Sequence, residues 1–237
     1  MMILNTSNLS ASYGSGQVLE SVSLAVPVGA VVGIVGPNGH GKSTLLRAIS
    51  GLMPVQQGVI LFEGNDISRL APEKIAQLGI VHVPQGDLVY KNMTVLENLL
   101  IGGYTNDNRE ETLAQLADVY AVFPKLRERA TQIASSLSGG ERRMLGIGRG
   151  LMMKKMKLLL LDEPSLGLAP IVIDQIYGAI AHLKSSGLTI VIVEENVSRI
   201  SAIADELSLL NHGNIIWTGA PEELADNRQL IETYLGT

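Results

Sequence analysis

Several short runs of hydrophobic residues stand out along the chain, and polar positions hardly interrupt them. The runs are Val31–Val35, Ile80–Val83, Leu158–Leu161 and Thr189–Val193. Because hydrophobic and polar residues do not alternate within them, these runs predict strands that are buried on both faces. Hydrophobic positions with helical spacing occur between the runs, at Ser43–Gly51 and Ile171–Ser185. The alternation predicts an α/β fold, with a mainly parallel sheet and helices on both of its faces.

The start and the middle of the chain depart from this alternation. Ile3–Ser12 and Val18–Val26 predict shorter antiparallel strands, joined by a turn at residues 14–16. From about Asp87 to Gly150 the spacing predicts helices and no strand, at Val95–Gly102, Arg109–Val122 and Gly140–Met153. We therefore expect a helical lobe at residues 87–150, inserted into a core with a β subdomain that residues 1–86 and 151–237 form.

The end of the chain predicts a hairpin and a closing helix. Leu207–Leu210 and Ile215–Thr218 flank the turn residues His212 and Gly213. Pro221 suits the first turn of a helix, and the acidic residues that follow it suit the positive end of the helix dipole.

Composition and charge narrow the classes of protein to which this fold could belong. The net charge is −5 and there is no long basic run, so a nucleic-acid partner is disfavoured. The chain has no cysteine, which excludes disulfides, zinc–thiolate sites and thiol catalysis. No signal peptide is predicted, and no hydrophobic run approaches the roughly 18 residues of a membrane span. If the protein works at a membrane, we expect it to dock there through other subunits.

A glycine-rich segment directly follows the first buried run and leads into a predicted helix. It reads Gly36-Pro37-Asn38-Gly39-His40-Gly41-Lys42-Ser43-Thr44 and fits the pattern G-x-x-x-x-G-K-[ST] in full. The glycines allow a tight turn in which backbone N–H groups and the start of the helix face a phosphate group. Lys42 can reach the β- and γ-phosphates of a nucleotide, and the Ser43 hydroxyl can ligate Mg²⁺. The alternative is a glycine-rich surface turn before a helix, which the preceding buried strand makes the weaker interpretation.

Two carboxylates follow the run of leucines at residues 158–161. Asp162 and Glu163 stand at the predicted carboxyl end of a strand, where open α/β sheets bind their ligands. We expect Asp162 to hold Mg²⁺ through a water molecule, and Glu163 to act as general base toward an attacking water. Alternatively, both side chains leave the sheet into solvent, but the phosphate loop elsewhere in the chain favours the catalytic interpretation.

The segment Leu137-Ser138-Gly139-Gly140-Glu141 carries the most specific family resemblance. Ser138 and Glu141 fit a capping box, and a helix N-terminus is itself an anion site, so structural and functional interpretations can hold together. The segment resembles the signature motif of ABC ATPases, usually written LSGGQ, with Glu141 in place of the glutamine. The resemblance implies that Ser138, Gly139 and Gly140 of one subunit close on the γ-phosphate of ATP held by another. A head-to-tail pair of ATP-binding subunits is therefore expected.

Further positions resemble the ABC family in the order that the family shows. Tyr13 resembles the aromatic residue that stacks on adenine, with an ordinary strand-face tyrosine as the alternative. Gln85 resembles the glutamine that senses Mg²⁺ and the attacking water, with a loop residue that caps the strand as the alternative. The resemblance covers nearly the whole chain. It implies an ATP hydrolase with ATP and Mg²⁺ as its ligands and with Lys42, Gln85 and Glu163 as catalytic residues.

Two later segments resemble the ATPases of branched-chain amino acid importers. Residues 163–170 read EPSLGLAP, and residues 193–196 read VEEN. The resemblance therefore implies an importer of branched-chain or other small amino acids. Importers of urea and short amides share these features and are the alternative. ABC ATPases without a transport role are a further alternative. They usually have a long coiled-coil insert, zinc-binding cysteines or two fused copies, and the sequence shows none of these.

The importer resemblance implies several partners and a location. Integral membrane permease subunits are expected to bind the helical lobe, whose candidate docking residues are Leu88, Val89, Tyr90 and Met93. An ordinary lobe core is the alternative role for these four residues. A periplasmic or extracellular solute-binding protein is implied indirectly, and the chain is expected at the cytoplasmic face of the inner or plasma membrane.

Two positions depart from the family pattern. Ala169 stands where most ABC ATPases have an aspartate, and Glu195 stands where most have a histidine that contacts the γ-phosphate. An anion beside a triphosphate is unfavourable unless it is protonated, metal-bound or turned away, so Glu195 is not expected to replace that histidine. We therefore expect an asymmetric pair, in which a different ATP-binding subunit supplies the histidine. A nucleotide-binding switch without useful turnover is the alternative.

Overall fold

The computed structural model describes residues 1–14, 16–86, 89–227, 230 and 233. The strands are β1 Met2–Tyr13, β2 Gly16–Pro27, β3 Val31–Val35, β4 Gln57–Phe62, β5 Asn65–Asp66, β6 Ile80–Val83, β7 Leu158–Asp162, β8 Thr189–Glu194, β9 Glu206–Asn211 and β10 Asn214–Gly219. The helices are α1 Lys42–Ile49, α2 Pro72–Gln77, α3 Val95–Gly102, α4 Arg109–Val122, α5 Pro124–Glu128, α6 Gly139–Leu151, α7 Pro170–Ser185, α8 Val197–Ser201 and α9 Pro221–Asp226. A short 3₁₀ turn covers Ala134–Ser136.

The larger sheet has six strands in the order β10-β9-β3-β8-β7-β6. Its strands from β9 to β6 run parallel, and β10 pairs antiparallel with β9. Side chains of β3 alternate between two hydrophobic clusters: Val31 and Val35 pack into one, and Val32 and Ile34 into the other. Both faces of the sheet are therefore covered, which confirms the prediction from the uninterrupted hydrophobic runs.

The smaller sheet is antiparallel and has the order β2-β1-β4-β5. The predicted antiparallel strands at the N-terminus are present within two residues of their predicted bounds. However, β1 and β2 have 12 residues each and are longer, not shorter, than the strands of the larger sheet. Register shifts along the β1–β2 pair, together with a positive φ at Asn8 and Ser21, mark bulges that disturb the alternation of polar and hydrophobic residues. This sheet packs with α1 over one face of the larger sheet.

Helices α3 to α6 connect β6 to β7 and pack over the other face of the larger sheet. The predicted helices at α3, α4 and α6 agree with the structure to within two residues, whereas α5 was not predicted. Thr94 caps α3 with a capping box that Glu97 completes, and Asn108 caps α4. In the described part of this stretch, the β structure consists of one isolated bridge between Thr94 and Ile133.

The predicted C-terminal hairpin is present as β9 and β10, and Pro221 begins α9. The backbone N–H of Gly213, in the hairpin turn, donates to the carbonyl oxygen of His40 at 3.0 Å. The hairpin therefore supports the glycine-rich segment before α1. Within the described residues, no helix is both long enough and apolar enough to cross a membrane.

Candidate functional site

The glycine-rich segment forms a tight loop between the end of β3 and the start of α1. Gly36 has a φ of 155°, and a Cβ atom at this position would lie 2.1 Å from the carbonyl oxygen of Leu210. Gly41 is the N-cap of α1 in a left-handed conformation and offers no side chain to cap the helix. The first N–H groups of α1 are therefore available to an anionic ligand.

Lys42 lies at the centre of this loop and is only 4% exposed. Its Nζ donates to the carbonyl oxygens of Gly36 at 2.8 Å and Pro37 at 3.1 Å, and lies 3.6 Å from Oε1 of Glu163. A pocket of about 190 Å³ above the loop is lined by loop residues together with Gln85 and Glu163. The structure thus brings the predicted lysine, glutamine and glutamate to one cavity.

Ser43 and Asp162 form the second pair of predicted residues that the fold brings together. The Ser43 hydroxyl donates to Oδ1 of Asp162 at 2.9 Å. Oδ2 of Asp162 is buried and has no hydrogen-bond partner among the described residues. A hydroxyl beside a carboxylate with a free buried oxygen fits Mg²⁺, which takes oxygen ligands and retains water molecules. In the part of the chain that the structure describes, no group of three or more acidic, histidine or cysteine side chains that could hold a metal occurs.

Gln85 and Glu163 meet at the ends of the adjacent strands β6 and β7. Nε2 of Gln85 donates to Oε2 of Glu163 at 2.7 Å. Glu163 has a φ of 45°, which is unusual for a residue with a side chain, and its N–H donates to the carbonyl oxygen of Val193 at 3.0 Å. Strained backbone of this kind is concentrated at functional sites.

The Glu163 side chain is buried, and both Lys42 and three other carboxylates act on the pKa of its carboxyl group. Burial raises the pKa of Glu163, and the carboxylates of Glu195, Asp162 and Glu194 raise it further, while Lys42 opposes the shift. A raised pKa makes a carboxylate a stronger base, which suits the predicted role of this residue.

Ser138 caps α6 at the surface of the chain. Its hydroxyl accepts from the N–H of Glu141 at 3.3 Å, and the Glu141 carboxylate accepts from the Ser138 N–H at 2.9 Å. Ser138 and Gly139 are exposed, whereas Gly140 is buried against Val172. Both halves of the prediction are therefore compatible with the structure: Ser138 completes a capping box and is also accessible to another chain.

Glu141, which replaces the usual glutamine, is held in place by two contacts. Its carboxylate completes the capping box with Ser138 and lies 2.6 Å from Nε of Arg129. The helix N-terminus is thus stabilised within its own lobe.

Gly139 lines a second pocket of about 300 Å³, which it shares with Gln85 and Glu163.

Two other predicted ligand-binding residues lie at the edge of the site. Tyr13 ends β1 and is 49% exposed, and its hydroxyl accepts from Nη1 of Arg47 at 3.1 Å. Nδ1 of His40 lies 2.8 Å from Oδ1 of Asn211, and the His40 ring lies 4.1 Å from the ring of His212. About half of the Tyr13 side chain is therefore accessible to a ligand. His40 fixes the phosphate loop to the C-terminal hairpin.

Ala169 and Glu195, the two residues that depart from the family pattern, lie in different structural environments. Ala169 is the N-cap of α7 and provides no side-chain hydrogen bond. Glu195 follows β8 and is exposed, whereas the neighbouring Glu194 is buried. Oε1 of Glu194 accepts from the N–H of Ser165 at 3.2 Å. Glu194, rather than Glu195, therefore holds the turn that follows Glu163.

Sequence reasoning missed Arg143, which is buried beside the carboxylates. Arg143 lies three residues after Gly140 and four before Ile147, and both of these are buried. A charged residue on the buried stripe of a helix is a signal that could have identified it.

The predicted docking residues for a permease lie in different environments. Leu88 lies outside the described residues. Val89 is buried, Met93 is partly exposed, and Tyr90 is 51% exposed, with the guanidinium of Arg149 5.0 Å from its ring centroid. Of the three described residues, Tyr90 is the one with most of its surface free for a partner.

The phosphate loop, the paired carboxylates and the parallel sheet define the class of phosphate-loop ATPases. The family described as ABC transporter matches residues 19–166, which is more than half of the chain. The chain therefore belongs to the ABC transporter family of ATP-binding subunits, and it is an ABC-type ATP hydrolase.

Relatives and a solved structure match the chain along its whole length. The high-affinity branched-chain amino acid transport ATP-binding protein BraG of Pseudomonas aeruginosa is 41% identical over 234 residues, covering 99% of this chain and 100% of that protein. The lipopolysaccharide export system ATP-binding protein LptB of Haemophilus influenzae is 36% identical, covering 100% and 98%. The crystal structure of an ATP-binding cassette of an ABC transporter in its ADP conformation has a TM-score of 0.88 at 34% identity, covering both chains fully.

Proposed function

We propose that this chain binds and hydrolyses ATP to energise an importer of branched-chain amino acids. The observation that carries the proposal is the 41% identity, over the full length of both chains, to the transport protein BraG. The segments at residues 163–170 and 193–196, which resemble the same importers, support the same substrate class.

The geometry of the site supports a role for each residue around the nucleotide. The loop N–H groups and Lys42 bind the β- and γ-phosphates, and Tyr13 stacks on adenine. Ser43 and Asp162 hold Mg²⁺, which supplies charge neutralisation at the phosphates when it is bound. Glu163 accepts a proton from the attacking water, which Gln85 orients. The contact between Gln85 and Glu163 supports this division, because it brings amide and carboxylate to the same point.

The exposed position of Ser138 and Gly139 supports a head-to-tail pair of ATP-binding subunits. In such a pair, Ser138, Gly139 and Gly140 of one subunit close on ATP held by the other.

Glu195 is exposed and acidic where a histidine is usual, which supports pairing with a different ATP-binding subunit. Glu195→His should then raise hydrolysis by a pair of identical chains about tenfold, toward the rate of the complete transporter. Full activity of the unchanged identical pair would refute the asymmetric arrangement.

The helical lobe, which we place at residues 87–150, would transmit closure of the pair to permease subunits through the segment after Gln85. The exposed ring of Tyr90 supports a docking surface there. These contacts would hold the chain at the cytoplasmic face of the membrane, and a solute-binding protein would act on the other face.

The test is isolation of the chain with its native membrane subunits, followed by reconstitution in vesicles. Leucine, supplied with the solute-binding protein, should stimulate ATP hydrolysis and enter the vesicles. Urea and acetamide serve as matched controls for the related importers. If the vesicles take up an amide and not leucine, the proposed substrate class is wrong and amides take its place. If no ATP is hydrolysed, the proposed ATPase function is refuted.

Lipopolysaccharide export is a second candidate, because the relative LptB is 36% identical over nearly its whole length. The two candidates predict different membrane partners. Copurification with permeases that bind a glycolipid, and stimulation of hydrolysis by lipopolysaccharide but not by leucine, would favour export.

A further inference from the structure

A buried arginine connects α6 to the ends of both strands that precede the catalytic side chains. Arg143 is only 7% exposed. Its Nη1 donates to the carbonyl oxygen of Pro84 at 2.8 Å, and its Nη2 donates to the carbonyl oxygen of Asp162 at 2.6 Å. These two carbonyl groups belong to the residues directly before Gln85 and Glu163. One guanidinium therefore holds both backbone segments from which the glutamine and glutamate project.

Arg143 acts at the point where the sheet no longer holds these segments together. The β6–β7 ladder pairs Ile80 with Leu158 and ends with Val83 opposite Leu161. The residue that follows β6 is Pro84, which has no N–H group and cannot continue the ladder. The bonds from Arg143 to Pro84 and Asp162 provide a cross-strand connection in place of the missing backbone hydrogen bonds.

The shape of the guanidinium makes this connection rigid. Its N–H donors lie in one plane with fixed directions, so the two carbonyl oxygens that it binds are kept at a nearly constant separation. Gln85 and Glu163 extend from the next residues and meet at 2.7 Å. A small change in the separation of the two backbones would therefore misplace the amide relative to the carboxylate.

Charge also favours an arginine at this position. Burial lowers the pKa of Arg143, and the nearby carboxylates of Asp162, Glu194 and Glu163 oppose that shift. An arginine remains protonated under such conditions. It places a second buried positive charge, beside that of Lys42, among three carboxylates.

We propose that Arg143 is a positioning residue for ATP hydrolysis: it fixes Gln85 relative to Glu163 and ties this pair to α6, the helix that Ser138 caps. The inference rests on the proposed function, because it concerns turnover at the same site. Arg143 does not touch the nucleotide in this account. Its loss should therefore slow turnover without weakening ATP binding.

The experiment compares Arg143→Met and Arg143→Lys with the unchanged chain, as the complete complex with its native partner subunits. Met keeps an unbranched apolar side chain but donates no hydrogen bond, whereas Lys keeps the charge and can bond one or both carbonyls. Arg69→Met is the control, because Arg69 is an exposed arginine outside the helical lobe. The measurements are kcat, KM for ATP, the Kd of a fluorescent ATP analogue, and Tm.

Arg143→Met should lower kcat about tenfold or more, since misplacing reacting groups by about 1 Å can cost about 100-fold. The Kd of Arg143→Met for the ATP analogue should stay within about twofold of that of the unchanged chain. Arg143→Lys should regain at least threefold in kcat, and Arg69→Met should change kcat less than twofold.

Three outcomes would overturn the inference. A folded Arg143→Met variant with unchanged kcat would show that the two hydrogen bonds from the Arg143 guanidinium are not needed for turnover. Parallel losses of Tm, Kd and kcat, without recovery in Arg143→Lys, would show a purely structural role. An unchanged chain that binds or hydrolyses no ATP would refute the proposed function, and the inference with it. That last failure is recognised before any variant is compared.

Discussion

Nε2 of Gln85 donates a hydrogen bond to Oε2 of Glu163 at 2.7 Å, while Nζ of Lys42 lies 3.6 Å from the other carboxylate oxygen. The carboxylate is thus contacted from the strand beside it and from the phosphate loop. Each carboxylate oxygen has two lone pairs, so Glu163 keeps free acceptor sites for a water molecule despite both contacts. Burial raises the pKa of Glu163 and Lys42 opposes this rise, so movement of Lys42 toward the phosphates of ATP would make Glu163 a stronger base.

Glu163→Gln removes the base and keeps the shape of the side chain. We expect kcat to fall about 100-fold or more, because general-base catalysis contributes roughly 10²–10⁴-fold. ATP binding should persist, since Lys42 and the loop N–H groups are unchanged. Phosphate release and nucleotide titration measure the two effects, with Glu73→Gln on the exposed side of α2 as control. Normal turnover by Glu163→Gln would remove this residue from the proposed role.

Ser43→Ala should weaken the response to Mg²⁺ more than the response to ATP. The variant loses the hydroxyl that donates to Asp162 and is proposed to ligate the metal. Disturbing a group that supports a metal typically costs about 10–100-fold in metal affinity, so half-maximal hydrolysis should need at least about tenfold more Mg²⁺. Ser43→Thr keeps the hydroxyl and is the matched control. Identical Mg²⁺ titrations for the alanine and threonine variants would contradict the assignment.

Ala169→Asp should stabilise the chain. Ala169 is the N-cap of α7 with φ −68° and ψ 147°, an extended conformation that suits a capping side chain. An aspartate there should accept a hydrogen bond from the first turn and raise the free energy of unfolding by about 1 kcal/mol. Urea unfolding measures the change, and Ala169→Val, which cannot cap, should give no gain. Equal or lower stability of the aspartate variant would show that the turn before α7 cannot accommodate the cap.

His82 should make the chain less stable in acid. Burial, with a smaller contribution from Arg47, lowers the pKa of His82 from 6.5 to about 4. Between these values the unfolded chain binds a proton that the folded chain does not, so the free energy of unfolding falls as pH decreases. The slope for one proton is about 1.4 kcal/mol per pH unit, or roughly 3 kcal/mol across the window.

His82→Gln removes this titration while other groups continue to titrate. The difference in unfolding free energy between the two chains should therefore change with pH between about 6.5 and 4 and stay constant above this window. Urea unfolding at several pH values measures it. Parallel curves for the two chains would contradict the predicted shift.

The core strands could be predicted from the sequence because their hydrophobic runs are uninterrupted, as at Leu158–Leu161. Strand β4 was missed because only Ile60 and Phe62 of its six residues are buried, and Gly58 weakens the pattern. Helix α8 was missed because five residues make little more than one turn, too few for a helical spacing to show. Elements of this kind depend on tertiary packing, which the local pattern does not record.

Prediction of the site residues also depended on whether a local sequence pattern carries them. Lys42, Ser43, Asp162 and Glu163 could be predicted because local motifs carry them. Arg143 could not be predicted in the same way, because its partners are carbonyl groups that lie 59 and 19 residues away. Backbone acceptors leave no trace in a side-chain pattern, so only the fold reveals their contacts with the arginine.

In the proposed pair of subunits, the terminal phosphate of ATP is held from two sides, by Lys42 of one subunit and by the region of Ser138 of another. The chain has no cysteine, so an engineered pair, Asn38→Cys beside the loop and Gly139→Cys beside Ser138, reports their proximity without background. Both positions are exposed. In the Glu163→Gln chain, ATP with Mg²⁺ should produce a disulfide-linked dimer that is largely absent with ADP. Failure to cross-link when ATP is bound, or equal cross-linking without nucleotide, would contradict the account.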